Sequence, residues 1–326
     1  MTNVFLLNFS DKDAVNIRLD RWLRERFPGI SFGRLQKILR TGQIRVDGKR
    51  CRGDLRLELG MQIRLPPIFS AKEASVAEKT EAKNNRNFSA APAELIEQLR
   101  GLIIYQDASI LVLNKPAGLA VQGGSGIKYS LDKILPALVA SGEVTPRLVH
   151  RLDKETSGVL LVALTRQAAQ WYASAFKEQR AKKTYWALVA PIPMPLSGTI
   201  DRPISKNKQE DGSDRIEEDE RGSKATTFYE VLDSNQEQVA WVELKPVTGR
   251  MHQLRVHMAA IGCPIIGDSK YGLWNQDDLP SSKILHLHAR NLKVENMEGK
   301  MLSFSAPLGE KLADSWKSFG FKTKKK

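Results

Sequence analysis

HRLDKETSGVLLVAL, residues 150–164, is the stretch on which the reading of this chain rests. Its second half is a run of six apolar residues at 159–164, entered through Gly158. An apolar run of that length bounded by turn residues reads as a strand buried on both faces. Its first half is polar and follows the apolar pair Leu148-Val149. Asp153 therefore falls between a short strand and a polar turn, just ahead of a buried strand. A carboxylate in that place suits the floor of a cleft, although a charged surface turn would have the same spacing.

Strands continue on either side. GLIIYQDASILVLNKPAG, 101–118, reads as two strands around a Gln-Asp-Ala-Ser turn. KKTYWALV, 182–189, reads as a strand carrying Tyr185. VTGRMHQLRVH, 247–257, reads as a strand end, a turn and then a helix with two arginines and two histidines. Strands and helices alternate irregularly up to about residue 320, which predicts an α+β domain over 95–321. QGGSGIK, 122–128, is a glycine-rich loop, yet no G-x-x-x-x-G-K-[ST] occurs anywhere, which excludes a P-loop nucleotide hydrolase. No dinucleotide-binding glycine fingerprint stands in its strand-to-helix context either.

Composition narrows the class. The chain has 326 residues, enough for about two domains. Lys+Arg exceed Asp+Glu by 50 − 37 = 13, so a polyanion is the expected partner, nucleic acid ahead of a membrane surface. A membrane span needs about 20 apolar residues in a row, far more than the run at 159–164. The first residues have no basic stretch and only a short apolar patch, so no secretory signal is expected, and two cysteines, Cys51 and Cys263, support neither a disulfide framework nor a cysteine-rich zinc site. The expected location is the cytoplasm. The five histidines lack the H-E-x-x-H spacing, so no metal is expected.

Charge is unevenly spread. Residues 1–70 hold 14 basic and 7 acidic residues, a net of +7. Within them RLDRWLRERF, 18–27, places Leu19, Trp22, Leu23 and Phe27 on one helical face. FGRLQKILRTG, 32–42, does the same with Leu35, Ile38 and Leu39, with Ser31 as a candidate cap and Gly42 as the stop. Asp47-Gly48 then marks a hairpin. Two basic helices followed by a small β element resemble the S4 RNA-binding module, which implies RNA contacts by Arg18, Arg34 and Lys37; a helical hairpin with solvated arginines would look alike. This module is assigned to 1–66. Residues 67–94 read as a flexible linker and 322–326 as a basic tail.

Three separated motifs now join. H-R-L-D-x-x-T-S-G at 150–158, K-x-Y at Lys183 and Tyr185, and T-G-R-x-H-Q-[IL]-R-x-H at 248–257 together resemble the RluA family of pseudouridine synthases. LNKPAG at 113–118, GDSKYG at 267–272 and LHA at 287–289 also fit. The resemblance covers essentially the whole chain. It implies a mixed-sheet catalytic domain that isomerises uridines within an RNA chain, with no cofactor.

The resemblance also implies roles. Asp153 would act on the target nucleotide, by attacking the sugar, removing a sugar proton or adding to the base. Tyr185 would stack on the uracil, its hydroxyl helping with the carbon-5 proton, and Arg250 would pair with Asp153. Arg151 would enter the RNA helix where the base leaves. Leu254 would line the base pocket, and His252 and Arg255 would contact RNA or base. The implied partner is large-subunit (23S) ribosomal RNA, with the protein acting as a monomer. A non-catalytic S4-containing RNA-binding ribosome assembly factor, and a synthase acting on transfer or messenger RNA, are the competing readings. Lys154-Glu155, Met251 and Gln122 depart from the commoner family residues. Residues 205–224, expected as a loop able to clamp RNA, include seven acids against Arg215 alone at 210–220.

Overall fold

The structure is a computed structural model that describes residues 5–10, 16–27, 29–69, 91–123, 127–139, 145–208, 214–235, 239–272 and 284–323. Most of the expected linker, the core of the glycine-rich loop at 124–126 and the end of the basic tail at 324–326 lie outside the described residues. The chain forms two compact units, 1–90 and 91–326. Among the described residues no helix is long and apolar enough to cross a membrane.

The first unit packs two helices on a four-stranded antiparallel sheet. Its elements are β1 (Phe5–Asn8), α1 (Leu19–Arg26), α2 (Phe32–Arg40), β2 (Arg45–Val46), β3 (Lys49–Arg50) and β4 (Gln62–Leu65), with sheet order β1-β4-β2-β3. Leu19, Trp22 and Leu23 of α1 and Leu35, Ile38 and Leu39 of α2 are buried against Val46, Ile63 and Leu65. Each such side chain contributes roughly 1.5–3 kcal/mol on burial. Asp47 and Gly48 both take positive φ, 49° and 76°, as the tight turn between β2 and β3 requires. Ser31 occupies the N-cap of α2, but its side chain makes no capping hydrogen bond. Residues 67–69 were expected in the linker. They form a short helical turn instead, because Phe69 is buried edge-on against Phe27 at 4.9 Å.

The second unit is built on a mixed sheet. After α3 (Ala93–Arg100) come β5 (Ile103–Gln106), β6 (Ile110–Lys115), α4 (Leu131–Leu138), β7 (Arg147–Leu148), β8 (Ser157–Ala163), α5 (Arg166–Lys177), β9 (Lys182–Val189) and β10 (Ser197–Asp201). There follow β11 (Ile204–Lys208), β12 (Asp214–Glu218), β13 (Thr226–Ser234), β14 (Ala240–Pro246), α6 (Gln253–Ala260), β15 (Leu287–Glu295), β16 (Met301–Ser305) and α7 (Glu310–Ser318). The main path is β10-β13-β14-β9-β15-β8-β6-β5, with β16 on β15 and β7 on β8. Every pairing in this sheet is antiparallel except β15 with β8. β8 is buried along all seven residues, which is why its sequence shows no alternation.

The parallel junction explains Gly158. The register sets Ala289 of β15 opposite Gly158. Gly158 has φ 110°, and a Cβ there would lie 2.2 Å from the Ala289 carbonyl oxygen. Only glycine admits this approach. Beside it, Ser157 Oγ lies 2.9 Å from His288 Nδ1, and His288 Nε2 lies 3.1 Å from the Ala306 carbonyl. These contacts hold the entrance of β8, and with it the turn that carries Asp153.

The segment expected as a clamp loop is a hairpin rather than a loop. β11 and β12 pair antiparallel from Ile204↔Glu218 to Lys208↔Asp214, and the tip at 209–213 lies outside the described residues. Its acids are matched locally: Arg202 donates to Glu218 at 2.9 Å and Asn207 to Glu217 at 3.0 Å. Ile204 and Ile216 are buried with Val256 and Tyr271, which seats the base of the hairpin on α6.

Candidate active site

A cavity of about 310 Å³ opens where the loop before β8, the strand β9 and the turn before α6 converge. That is near the lower end of small-molecule pockets, roughly 300–1,000 Å³. Asp153, Arg151, Tyr185, Arg250, His252, Leu254 and Arg255, far apart in the chain, all line it. Asp153 is the only carboxylate among the described lining residues. Its side chain is 20% exposed, and the Thr156 amide donates to its main-chain carbonyl at 3.1 Å to close the turn.

Each wall has a structural cause. On the β8 side, Lys115 at the end of β6 is fully buried. Its ammonium donates to the carbonyls of Pro116, Leu119 and Lys154 at 2.8, 2.9 and 3.1 Å, so it grips the Asp153 loop by its backbone. Burial draws the Lys115 pKa down to about 7, against the pull of the Glu155 and Asp153 carboxylates. His150 backs the cavity. It stacks on Phe176 at 4.1 Å and accepts from the Leu161 amide at 2.8 Å, and burial lowers its pKa to about 3, so it is neutral.

On the β9 side, Tyr185 presents its ring between two apolar clusters. Burial, then the nearby Asp153 charge, raises its pKa, so the phenol stays protonated at neutral pH. Lys183, two residues earlier and on the same face of the strand, has its pKa lowered by burial.

The third wall is the turn 248–252, held from below by Gln253. Its Oε1 accepts from Thr248 Oγ1 at 2.7 Å and from the Arg250 amide at 3.0 Å. Its Nε2 donates to the Thr226 carbonyl and Thr227 Oγ1, both at 3.0 Å. His252 takes a left-handed conformation, φ 53°, at the N-cap of α6. Its Nε2 stands 3.9 Å from Asp153 Oδ2 and its Nδ1 2.8 Å from the Tyr271 hydroxyl. Leu254 is buried in the floor.

Comparison with known proteins fits this cavity. Residues 109–260 match the family described as RNA pseudouridylate synthase. The ribosomal large subunit pseudouridine synthase C of Rickettsia bellii is 38% identical over 296 residues, 88% of this chain and 95% of that protein. The chain belongs to the RNA pseudouridylate synthase family. The protein of the same name from Vibrio parahaemolyticus is 33% identical over 93% of this chain and 92% of its own. Among solved structures, human RNA pseudouridylate synthase domain containing 4 superposes with a TM-score of 0.60 at 32% identity, over 71% of this chain and 97% of that one. The protein is thus an RNA pseudouridine synthase.

Within this synthase two of the expected arginines behave differently from the sequence reading. Arg250 is exposed and forms no ion pair with Asp153; its Nε donates to the Lys224 carbonyl at 3.2 Å. It lies in the turn, before the helix begins, at the exposed edge of the cavity. Arg255, one turn into α6, is the buried guanidinium of the cavity. Its Nε and Nη2 donate to the two oxygens of Asp268, at 2.7 and 2.6 Å, so this edge of the guanidinium is held by the protein. Arg151 is exposed at the rim.

The remaining expected residues lie in the first unit. Arg18 and Lys37 line an open groove of about 970 Å³ together with Arg40, Arg50 and Arg52. Arg18 is half-exposed and bidentate on Asp20, at 3.1 and 2.7 Å. Arg34 is exposed outside that groove. Sequence reasoning passed over Lys115, Gln253, Asp268 and Tyr271, although all four stand inside motifs it quoted. Their roles rest on burial and on bonds to distant segments, which their sequence surroundings do not show.

Proposed function

We propose that this synthase isomerises uridines of large-subunit (23S) ribosomal RNA, with Asp153 acting on the target nucleotide after its base has left the stack. The observation that carries the reading is the lone carboxylate: Asp153 faces a cavity of one-nucleotide size whose other charged lining groups are cationic. Isomerisation breaks the bond from N1 of uracil to C1′ and makes one from C5 to C1′. The C5 proton leaves and N1 gains one, so no atom is added. The sugar becomes cation-like as the first bond breaks, and an anion beside it lowers that barrier. Attack on the sugar, removal of a sugar proton and addition to the base all start from this carboxylate. A hydrolytic glycosidase would need a second carboxylate.

The neighbours take matching parts. Tyr185 stacks on the uracil as a neutral phenol, because its raised pKa disfavours a phenolate base. Leu254 supplies an apolar floor. Arg151 at the rim is placed to fill the gap left by the flipped base. Large-subunit ribosomal RNA as substrate is supported by the names of relatives that match along nearly the whole of both chains. It puts the enzyme in the cytoplasm. The first unit serves as an S4-type RNA-binding module, with Arg18, Arg34 and Lys37 toward phosphate.

Asp153→Asn tests the chemistry. Turnover on 23S RNA fragments should fall below about one per cent while RNA affinity stays within a few-fold, since binding rests on distributed cations. Turnover well above that level would remove Asp153 from the centre of the reaction. Mapping pseudouridines in total RNA from strains with and without the gene tests the substrate.

A further inference from the structure

We propose that Tyr271 is a positioning residue that fixes the tautomer of His252 and so points an N–H at the Asp153 carboxylate. The inference rests on the reading of Asp153 as the reacting carboxylate. Its starting point is the order of donors along one chain of contacts. The main-chain amide of Ile216, on β12, lies 3.3 Å from the Tyr271 hydroxyl oxygen. An amide can only donate, so the hydroxyl accepts there. The phenol has one proton of its own, and among the described residues its other hydrogen-bond neighbour is His252 Nδ1 at 2.8 Å. Burial keeps that phenol protonated. Tyr271 therefore donates to Nδ1, which makes Nδ1 the acceptor and leaves the ring proton on Nε2. Nε2 is the nitrogen that faces Asp153 Oδ2, at 3.9 Å. A small closing movement on substrate binding would turn this approach into a hydrogen bond.

Tyr271 is itself held on every side. It is 7% exposed. Its amide and that of Lys270 donate to Asp268 Oδ1 at 3.1 and 2.9 Å, and Asp268 is clamped by Arg255. The Arg255 guanidinium lies 5.2 Å from its ring centre, and the His252 ring meets it edge-on at 5.6 Å. Burial also keeps His252 from protonating, so the imidazole works as a neutral donor. The buried Arg255–Asp268 pair thus braces Tyr271 through the Asp268 carboxylate.

The test uses the full-length enzyme and three variants: Tyr271→Phe, His252→Gln and the double substitution. Phenylalanine keeps the ring against Arg255 and removes only the hydroxyl. Tyr271→Phe should lower kcat by about tenfold, the worth of one oriented hydrogen bond, with KM within about twofold. The double variant should be no slower than His252→Gln alone. Independently of turnover, the ring-nitrogen NMR signals of His252, assigned by their loss in His252→Gln, should be those of the Nε2–H tautomer. In Tyr271→Phe they should move toward a tautomeric mixture. The inference is overturned if Tyr271→Phe leaves kcat within twofold, if the two losses multiply in the double variant, or if His252 carries its proton on Nδ1. An active Asp153→Asn enzyme would overturn the underlying reading instead, and the NMR result would stand apart from it.

Discussion

The ammonium of Lys115 donates to the Lys154 carbonyl at 3.1 Å, so the last residue of β6 holds the loop that presents Asp153. The Gly118 amide donates to the same carbonyl at 2.9 Å. A loop that carries a reacting group gains from being held by its backbone, since the side chain stays free for chemistry. Lys115→Met keeps the stem and removes three donors. It should cost about 1–3 kcal/mol in urea unfolding, through the Pro116 and Leu119 carbonyls that lose this donor, while the Lys154 carbonyl keeps the Gly118 amide. It should also lower kcat more than it raises KM. Unchanged kcat in a folded Lys115→Met enzyme would show that the loop holds its shape unaided.

Gly158 makes a sharper case. A Cβ at this residue would sit 2.2 Å from the Ala289 carbonyl, on a backbone at φ 110°. Gly158→Ala must therefore open the parallel junction of β8 and β15 at the Gly158–Ala289 pair. The expected loss is about 3 kcal/mol or more, roughly a 6–12 °C drop in Tm for a unit of this size. Calorimetry decides it; a Tm within 2 °C of the parent would mean that the junction yields without strain.

How much of this was legible beforehand depended on whether a residue acts alone or through a partner. The strand at 182–189 and the helix faces of the first unit were readable, because periodicity and turn residues are local signals. So was the gathering of Asp153, Tyr185, His252 and Leu254, which came through motifs. The pairing of Arg250 with Asp153 was misjudged. Two arginines five residues apart on either side of a helix start point in different directions, and only the position of that start, after a left-handed His252, says which one is buried. Gln253 and Asp268 act by joining segments distant in sequence, and spacing alone carries no trace of such bonds. The hairpin at 204–218 was hidden because its charges read as a solvated loop, while Ile204 and Ile216 are too sparse to register as a strand pattern.

Acid should unfold this protein steeply. Burial lowers the pKa of His150 to about 3 and of His286 and His288 to about 4. Each value lies below the ordinary 6.5, so the unfolded chain binds more protons than the folded one between roughly pH 4 and 6.5. The stability these groups confer is full above about pH 6.5 and is lost as pH falls toward the folded values. Each titrating imidazole gives a slope near 1.4 kcal/mol per pH unit, about 4 for the three together. Urea unfolding from pH 4.5 to 6.5 measures it. His286→Asn should remove about a third of the slope, and a flat curve across this window would contradict buried neutral histidines.

The last prediction concerns the first unit. Among the described residues, the buried cluster around Trp22, Leu35 and Ile63 includes none beyond 69. The described members of the clusters in the second unit all come from residues 91–326. Removing 1–90 should therefore leave a folded 91–326, checked by circular dichroism and a cooperative melt. All the described residues lining the candidate active site lie in the retained part. What is lost is a surface rich in arginine, with Lys37, Arg40, Arg50 and Arg52 around one open groove. If that groove meets RNA phosphates, the module acts as a second binding site tethered at high effective concentration. Each phosphate it neutralises adds about 0.7–0.9 to the slope of log affinity against log salt. The truncated enzyme should then bind structured 23S RNA fragments more weakly, with a shallower salt dependence and a raised KM. Its kcat at saturating RNA should change by less than about tenfold. A truncated enzyme that is folded, keeps its KM and salt slope, and loses kcat would mean that the first unit takes part in the chemistry rather than in holding the RNA.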